Sequence, residues 1–248
     1  MRIVSWNIRS GGGRRVDAIA DQIVRWRADV AALCEFRGTP PSQQLAQRLG
    51  NAGLRHQLST ADPDQRARNA LLLASRFPLT AVNLPQAPTE PARWLLAHIA
   101  APMPFHMGVM HVPNFVTKRK FPFHDAVLDV AEVWPWGPAL FIGDTNTGLS
   151  GIDDETRVFT QREEAWMHRL EELAWCDVFR KLHGEKRVYT WYSPNGGNGF
   201  RLDQAFVNPQ LVTRVTAMHY VWGEAHKPQK QKRRDALSDH AAILLDLA

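Results

Sequence analysis

Phe141-Ile142-Gly143-Asp144-Thr145-Asn146-Thr147-Gly148 is the stretch around which the rest of this sequence is best interpreted. An apolar run from Pro138 to Ile142 precedes the polar residues and is typical of a short buried strand. Gly143 lets the chain turn, and Asp144 and Asn146 then share one face if the strand geometry persists. A carboxylate beside an amide suits proton transfer from water and donation to an anionic oxygen. The alternative is an ordinary turn, because Asp and Asn side chains hydrogen-bond their own backbone.

The length and composition indicate a globular protein. With 248 residues, 44% of them hydrophobic, the sequence can form a substantial core, and we expect one domain over residues 1–248. No apolar run is long enough to span a bilayer, and the N-terminus alternates like a strand rather than resembling a leader peptide. We therefore expect a cytoplasmic protein, and we expect a monomer without an obligate protein partner. Cys34 and Cys176 fit core thiols better than a disulfide framework or a zinc site.

The charge distribution permits an anionic partner. The formal net charge is +5, and basic residues concentrate in segments 11–15 and 226–234, the second of which contains Lys230, Arg233 and Arg234. Each segment lies within a few residues of a candidate site residue, Asn7 or Asp239. Such runs are usually solvated loops, but Lys and Arg beside a site are well placed to hold a nucleic-acid backbone.

Helical and strand-like patterns alternate along the chain and predict its fold class. We predict helices near 16–27, 43–51, 118–133 and 161–173. Strands are predicted near 2–7, 29–34, 55–59, 69–75, 79–84, 93–100, 106–110, 138–142, 189–192, 201–207, 213–221 and 241–247. Two strand-rich halves with helices between them predict two packed mixed or antiparallel β-sheets flanked by helices. This is an α/β fold, a four-layer α/β sandwich.

Polar residues stand at the ends of three early strands. Glu35 suits a Mg²⁺ ligand, although an exposed strand-end acid is the simpler interpretation. Asn7 could support that ligand or a phosphate, or be a turn residue. His111 and Asn114 stand on either side of Val112-Pro113. Pro113 biases Val112 toward extended backbone, which would carry the His111 and Asn114 side chains to the same edge, where they could contact phosphate.

The last third of the chain adds further candidates. Arg201 and Asp203 share one face of a predicted strand. Ser238-Asp239-His240 precedes the final strand, and an Asp203–His240 pair would fix the imidazole and favour its protonated form. Trp191 lies near Asp203 along the chain, where its aromatic ring could stack on a nucleic-acid base.

The candidate residues lie in six short segments, which are, in chain order, Ser5-Trp6-Asn7-Ile8, Cys34-Glu35-Phe36, His111-Val112-Pro113-Asn114, Gly143-Asp144-Thr145-Asn146, Arg201-Leu202-Asp203 and Ser238-Asp239-His240. In this order they resemble the endonuclease/exonuclease/phosphatase superfamily, which includes deoxyribonuclease I, exonuclease III-type abasic endonucleases, inositol polyphosphate phosphatases and neutral sphingomyelinases. Segments 164–180 and 189–192 are most similar to the exonuclease III branch. That branch usually has Tyr in place of His111 and Gln-Glu-Thr-Lys in place of residues 34–37.

The resemblance implies a deoxyribonuclease I-like sandwich and a divalent-metal-dependent phosphodiesterase. Glu35, supported by Asn7 and Asp239, would hold Mg²⁺ or Mn²⁺. Asp144, oriented by Asn146, would activate a water for in-line attack. His240, held by Asp203, and His111 would donate to the phosphoryl oxygens. The candidate substrate-binding residues are Asn114, Arg201, Trp191, Lys230, Arg233 and Arg234.

DNA is the expected partner, which makes an endonuclease or exonuclease, including an abasic-site or other DNA-repair nuclease, the first hypothesis. A phosphatase or phosphodiesterase acting on a phospholipid or a small phosphorylated molecule is the alternative, and it would differ in the loops around 118–120 and 227–234. A binding domain without activity is disfavoured, because every polar position of the site holds a competent residue. The fold by itself does not choose the substrate.

Overall fold

A computed structural model of the chain describes residues 1–224 and 236–248. Apolar strands from both ends of the chain form a first sheet, which has six strands within these residues. They are β1 (Arg2–Asn7), β2 (Val30–Phe36), β3 (His56–Ser59), β4 (Ala70–Ser75), β13 (Val215–Val221) and β14 (Ala242–Leu247). Their order is β13-β14-β1-β2-β4-β3. β1 and β2 are parallel, whereas the other neighbours are antiparallel.

Strands from the middle of the chain form a second sheet, also of six strands among the described residues. They are β5 (Leu79–Ala81), β6 (Trp94–Ile99), β7 (Phe105–His111), β8 (Ala139–Asp144), β9 (Cys176–Asp177) and β12 (Asp203–Val207). Their order is β5-β6-β7-β8-β12-β9, and β7 and β8 are the parallel pair. A short ribbon of β10 (Trp191–Tyr192) and β11 (Gly199–Phe200) stands apart from both sheets.

The helices are amphipathic and lie between the strands in sequence. They are α1 (Val16–Arg25), α2 (Pro40–Asn51), α3 (Lys120–Glu132), α4 (Gln161–Glu172), α5 (Val178–His183) and α6 (Pro209–Val212), with 3₁₀ turns at Gly13–Arg15 and Phe115–Thr117. In the described part of the chain, no helix combines the length and the apolarity needed to cross a membrane.

Three apolar clusters define the layers. One lies between the two sheets and includes Ile3, Val109 and Ile142. A second, with Ile19 and Leu45, packs α1 and α2 on the outer face of the first sheet. A third packs α3 and α4 on the outer face of the second sheet, and its members include Phe123, Val127, Phe141, Trp166 and Leu170. Burying both faces of each sheet in this way gives the predicted four-layer α/β sandwich.

The strands predicted between residues 55 and 110 form antiparallel pairs, and the structure shows where the chain changes sheets. β3 pairs with β4, and β5 with β6 and β7, all antiparallel. However, β4 belongs to the first sheet and β5 to the second. Helix α5 has only six residues and was not predicted from the sequence. Asp177 caps α5 by accepting hydrogen bonds from the amides of Phe179 (3.0 Å) and Arg180 (3.2 Å), a local signal too short for periodicity.

Gly143 is required because two strands approach closely at this position, and not because the chain turns there as predicted. It lies inside β8 with φ of +144°, and a Cβ at this position would sit 2.0 Å from the carbonyl oxygen of Met110 on β7. The parallel pair β7–β8 therefore approaches too closely for any side chain one residue before Asp144.

Substituting Gly143 tests this close approach. We expect Gly143→Ala to lower the free energy of unfolding by about 3 kcal/mol, because the methyl group must push the two strands apart. Gly137→Ala is the matched control, since Gly137 also has a positive φ (+59°) but a methyl group there would meet nothing within 4 Å. Urea unfolding of both variants measures the difference, and equal losses would show that only the backbone conformation matters.

Candidate active site

The polar strand ends meet at one edge of the two sheets. In the second sheet, Asp144 is paired in register with His111 on β7 and with Asp203 on β12. β7 and β8 are parallel, so they end together, and antiparallel β12 begins where they end. From the first sheet, the Asn7 amide Nδ2 donates to Asp144 Oδ2 at 2.9 Å and so crosses the sandwich. Pairing and packing therefore bring together residues that lie far apart in sequence.

Asp144 is buried at the centre of this group, with 2% of its surface exposed. Its Oδ2 lies 3.7 Å from His111 Nε2 and 4.0 Å from His240 Nε2. Burial raises the pKa of Asp144, the His240 cation opposes this and Asp203 adds to it, so that the pKa is about 7. This carboxyl group can therefore exchange a proton near neutral pH.

Asp203 and His240 form a buried pair, which is the contact expected from the sequence. His240 Nδ1 lies 2.9 Å from Asp203 Oδ2. Burial favours the neutral ring, but the carboxylates of Asp203 and Asp144 outweigh it and raise the pKa of His240 to about 10. The imidazole is therefore a fixed cation at neutral pH, and its Nε2 faces Asp144.

His111 has the opposite character. Burial, together with the Arg93 and His240 cations, holds the pKa of His111 well below its usual value. Its ring is neutral at pH 7, and Nδ1 has no hydrogen-bond partner within the described residues. The site thus contains one charged and one neutral imidazole beside the same carboxyl group.

Glu35 reaches the site through an irregularity in its strand. It has φ of +59°, unusual for a residue with a side chain, where the register between β2 and β4 shifts. Its Oε1 lies 3.4 Å from Asn7 Nδ2, and its Oε2 accepts the amide hydrogen of Ser10 at 2.7 Å. The half-buried carboxylate is thus directed toward Asn7, with lone pairs still open to solvent.

Asp239 is attached to the same corner of the site. Ser238 Oγ donates to the backbone carbonyl of Asn7 at 2.6 Å and joins the segment before β14 to the end of β1. The Asp239 carboxylate is partly exposed, and its ion pair with Arg9 is long, at 3.8 Å.

Two groups of these side chains could hold a divalent metal. Glu35 and Asp239 supply partly exposed carboxylate oxygens, which fits Mg²⁺ or Mn²⁺, and the buried Asn7 adds an amide oxygen that also accepts the amide hydrogen of Arg9 at 3.0 Å. Asp144, Asp203 and His240 also offer ligand atoms within 4.8 Å of one another. In that second group the His240 ring is protonated and bonded to Asp203, so it would have to lose a proton to become a ligand. The first group therefore fits the ion better.

Asn146 occupies a turn rather than a continuation of β8. The strand ends at Asp144, and Asn146 has φ of +48°, so the expected alternation of side chains stops there. The backbone amide of Asn146 donates to Asp144 Oδ1 at 3.1 Å, and its side-chain Nδ2 donates to the Val112 carbonyl at 2.8 Å. Asn146 thus ties the Asp144 carboxyl group to the end of β7, and one N–H of its side-chain amide is used in doing so.

The prediction that Arg201 binds substrate is wrong. Its guanidinium is fully buried and pairs with Asp153 (2.7 Å) and with Asp177 (2.6 Å). The strand begins only at Asp203, so Arg201 does not share its face but points toward α5. The network continues to Tyr220, whose hydroxyl donates to the Asp203 carbonyl at 2.8 Å. Arg201 supports the site from behind instead of facing it.

Breaking this network should be costly. We expect Arg201→Met to lower the free energy of unfolding by about 3–5 kcal/mol, because two buried carboxylates lose their main cation. Arg48→Met is the control, since Arg48 pairs with Asp17 and Asp21 on an exposed helical surface and should contribute less than about 1 kcal/mol. Urea unfolding compares the two, and a small loss for Arg201→Met would show that the carboxylates find other partners.

The remaining substrate-binding candidates differ in position. Trp191 is bridged to His240 through the backbone, and their rings lie 6.3 Å apart. Asn114 is exposed and precedes the 3₁₀ turn Phe115–Thr117, just after β7. Lys230, Arg233 and Arg234 lie outside the described residues, so they stay predictions.

Arg93 is a site residue that the sequence analysis missed. It precedes β6, is half-buried, and donates from Nη1 to the His111 carbonyl at 3.1 Å. Within residues 1–224 and 236–248 no carboxylate lies within ion-pair distance of it. Its remaining N–H groups could bind an anion beside His111. A single Arg at the start of a strand carries no local signal, because only β6–β7 pairing brings it there.

Comparisons with known proteins agree with this architecture. A profile described as the Endonuclease/Exonuclease/phosphatase family matches residues 4–240. A search of curated protein sequences found no match. Among similar solved structures is a 3′ phosphatase, NExo, from Neisseria bound to product DNA hairpin, with a TM-score of 0.78 and 20% identity over 100% of this chain and 99% of that one.

Two further structures are equally similar. One is a 3′-5′ exonuclease (NExo) from Neisseria meningitidis, with a TM-score of 0.77, and the other is an AP endonuclease from Archaeoglobus fulgidus, with a TM-score of 0.78. Each is 20% identical and matches 100% of this chain and 99% of its own. At this identity the likeness demonstrates a shared fold.

Proposed function

This chain belongs to the endonuclease/exonuclease/phosphatase family, and we propose that it is a divalent-metal-dependent phosphodiesterase that cleaves DNA. Members of this family are phosphoesterases and nucleases, so hydrolysis of a phosphoric ester is its general activity. The observation that carries the proposal is the buried Asp144 carboxyl group, bordered by a charged His240 and a neutral His111.

In this proposal Asp144 accepts the proton of the attacking water. The pKa of Asp144, about 7, lies near neutral pH. At such a pH a large fraction of the carboxyl group is ionised, and the carboxylate is still basic enough to take a proton from water. The hydrogen bonds from Asn7 and from the Asn146 backbone hold one rotamer of the carboxylate. Fixing the acceptor in this way lowers the entropic cost of aligning water with the phosphorus atom.

The two histidines act on the phosphoryl group. His240 is a cation because Asp203 accepts from Nδ1, which leaves Nε2–H to donate to an oxygen where negative charge increases. His111 is neutral and offers one N–H without adding charge. Arg93, bonded to the His111 carbonyl, supplies a further cation at this side of the site.

Glu35, Asn7 and Asp239 would hold Mg²⁺ or Mn²⁺. When bound, the ion supplies Lewis-acid polarisation and charge neutralisation at a phosphoryl oxygen. The bulge at Glu35 and the hydrogen bond from Ser238 to Asn7 keep these oxygen ligands at the mouth of the site.

Several observations support DNA as the substrate. The chain carries a formal charge of +5, and Trp191 stands beside His240, where it can stack on a base. The similar solved structures include one bound to a DNA hairpin and one named as an AP endonuclease. A small-molecule or lipid phosphoesterase would not need an aromatic ring placed to stack on a base. We further propose that residues 1–248 act as one domain, and as a monomer in the cytoplasm.

A substrate panel tests the proposal. Purified protein with Mg²⁺ is incubated with plasmid DNA, an abasic-site duplex, a duplex bearing a 3′ phosphate, inositol phosphates and sphingomyelin vesicles. We expect cleavage of one or more DNA substrates and no release from the others. Hydrolysis of only the inositol phosphates or the lipid would overturn the DNA proposal, whereas the pattern among the three DNA substrates identifies the bond that is cleaved.

A further inference from the structure

A buried lysine lies directly behind the candidate active site. Lys120 is the first residue of α3, where a lysine would ordinarily extend into solvent, yet only 2% of it is exposed. Its ammonium group donates to the backbone carbonyl of Asn146 and to Glu163 Oε1. Burial lowers the pKa of Lys120, and the contacts with Glu163 oppose this effect. None of the roles assigned above uses this cation.

Glu163 holds the ammonium group in place from the outer helical layer. Its carboxylate is also buried, with 4% exposed. Oε2 accepts the backbone amide of Thr160 at 2.7 Å and its hydroxyl at 2.8 Å, and the Glu163 backbone amide donates to Thr160 Oγ1 at 3.4 Å, so that the two residues form the capping box of α4. Because α4 fixes this carboxylate, Lys120 has one fixed partner on the side away from the site.

The other partner belongs to the turn that carries Asp144. Asn146 adopts a left-handed conformation, and its backbone amide holds one oxygen of the Asp144 carboxyl group at 3.1 Å. Its side chain is attached to the Val112 carbonyl at 2.8 Å. The carbonyl held by Lys120 is on the same residue, so a shift of this contact would move the donor that orients Asp144.

A buried ion pair does not by itself imply a net gain in stability. Replacing a buried ion pair by apolar or neutral groups of similar volume is often neutral or stabilising, whereas removing one partner is strongly destabilising. A cation between a helix cap and a catalytic turn can, however, restrain a carbonyl that an apolar side chain cannot hold.

We propose that Lys120 is a positioning residue for phosphodiester hydrolysis, which acts by holding the Asn146 carbonyl and thereby the turn that orients Asp144. The inference rests on the proposed function and deepens it. In this proposal, the contact that Lys120 makes between the α3–α4 layer and the site serves to align Asp144, the general base. Substrate binding does not depend on this contact.

Two variants separate positioning from stability. Lys120→Met removes the cation and leaves Glu163 buried without it, so this variant should lose stability as well as rate. Lys120→Met combined with Glu163→Gln removes both charges, and we expect a melting temperature close to that of the unaltered protein. In this double variant kcat on DNA should still fall about 100-fold, as for small misplacements of catalytic groups, while KM stays within about threefold. Binding of uncleaved DNA in EDTA, measured by fluorescence anisotropy, should be unchanged.

Asp144→Asn provides the coupling test, because it removes the proton acceptor that the Asn146 turn orients, and Lys181→Met, on the exposed face of α5, is the control for loss of a lysine charge. If Lys120 acts by aligning Asp144, adding the double change to Asp144→Asn should lower kcat by no more than about threefold further. Full kcat in a stable double variant, or a full 100-fold loss added to Asp144→Asn, would overturn the inference. Absence of DNA cleavage by the unaltered protein would instead remove the proposed function, and the inference with it.

Discussion

Asp144→Asn should lower the rate of DNA cleavage by about two to four decades, the usual contribution of a general base. The amide has the shape of the carboxylate and can still accept the hydrogen bond from Asn7, but it cannot take a proton from water. Binding of uncleaved DNA should survive, because the histidines and the basic residues are intact. Single-turnover cleavage and fluorescence anisotropy measure the two properties separately.

The melting temperature of Asp144→Asn shows whether a lower cleavage rate comes from lost chemistry or from a lost fold. The folded-state pKa of Asp144 is raised to about 7, above that of an aspartate in an unfolded chain. As the pH rises from the pKa of Asp144 in the unfolded chain through its pKa in the folded protein, ionisation of Asp144 lowers the free energy of unfolding. The full loss is present at pH 8. Asp144→Asn removes this cost, so we expect no lower melting temperature at pH 8.

Asp125→Asn is the matched control, since Asp125 is an exposed carboxylate on α3 paired only with Arg162 among the described residues. It should cleave DNA at the unaltered rate. If Asp144→Asn also cleaved DNA at that rate, Asp144 would not be the proton acceptor, and Asp203 would be the next carboxylate to test.

Chelation should abolish DNA cleavage, and Mg²⁺ or Mn²⁺ should restore it. The cations at the site, His240 and Arg93, donate hydrogen bonds but have no empty orbital to accept an oxygen lone pair, so they cannot replace a Lewis acid. The measurement is the cleavage rate in EDTA followed by titration with each metal. Undiminished cleavage in excess chelator would exclude metal-dependent chemistry.

Glu35→Gln locates the metal requirement within the site. We expect the Mg²⁺ concentration for half-maximal rate to rise at least about tenfold, because a neutral amide oxygen is a weaker ligand than a carboxylate. The melting temperature should change little, since the Glu35 side chain is only half-buried. Glu132→Gln, at an exposed position on α3, is the control and should leave the requirement unchanged. An unchanged requirement in Glu35→Gln would favour the Asp144–Asp203–His240 group as the metal site.

Local sequence patterns were enough to predict the layers of the fold and the order of the site residues along the chain. Alternation and helical periodicity depend on which side of an element faces the core, and this information is local. This local information was enough to predict strands β1, β7 and β8 and helices such as α1 and α4. Asp144 was predicted to follow a strand and Asp203 to lie within one, and only the resemblance to the family implied that the two share a site. The Asp203–His240 contact followed from the need of a buried carboxylate for a partner.

Tertiary packing sets which group each charged side chain faces, and local sequence patterns do not predict it. Arg201 and Arg93 each precede a strand, yet one is paired with two buried carboxylates and the other, within the described part of the chain, lies beside His111 without one. Lys120 belongs to a basic run in the sequence but is buried between α4 and the Asn146 turn. Gly143 is required by the Met110 carbonyl of a neighbouring strand. In each case the deciding partner is distant along the chain, and long-range packing leaves no periodic trace in the local sequence.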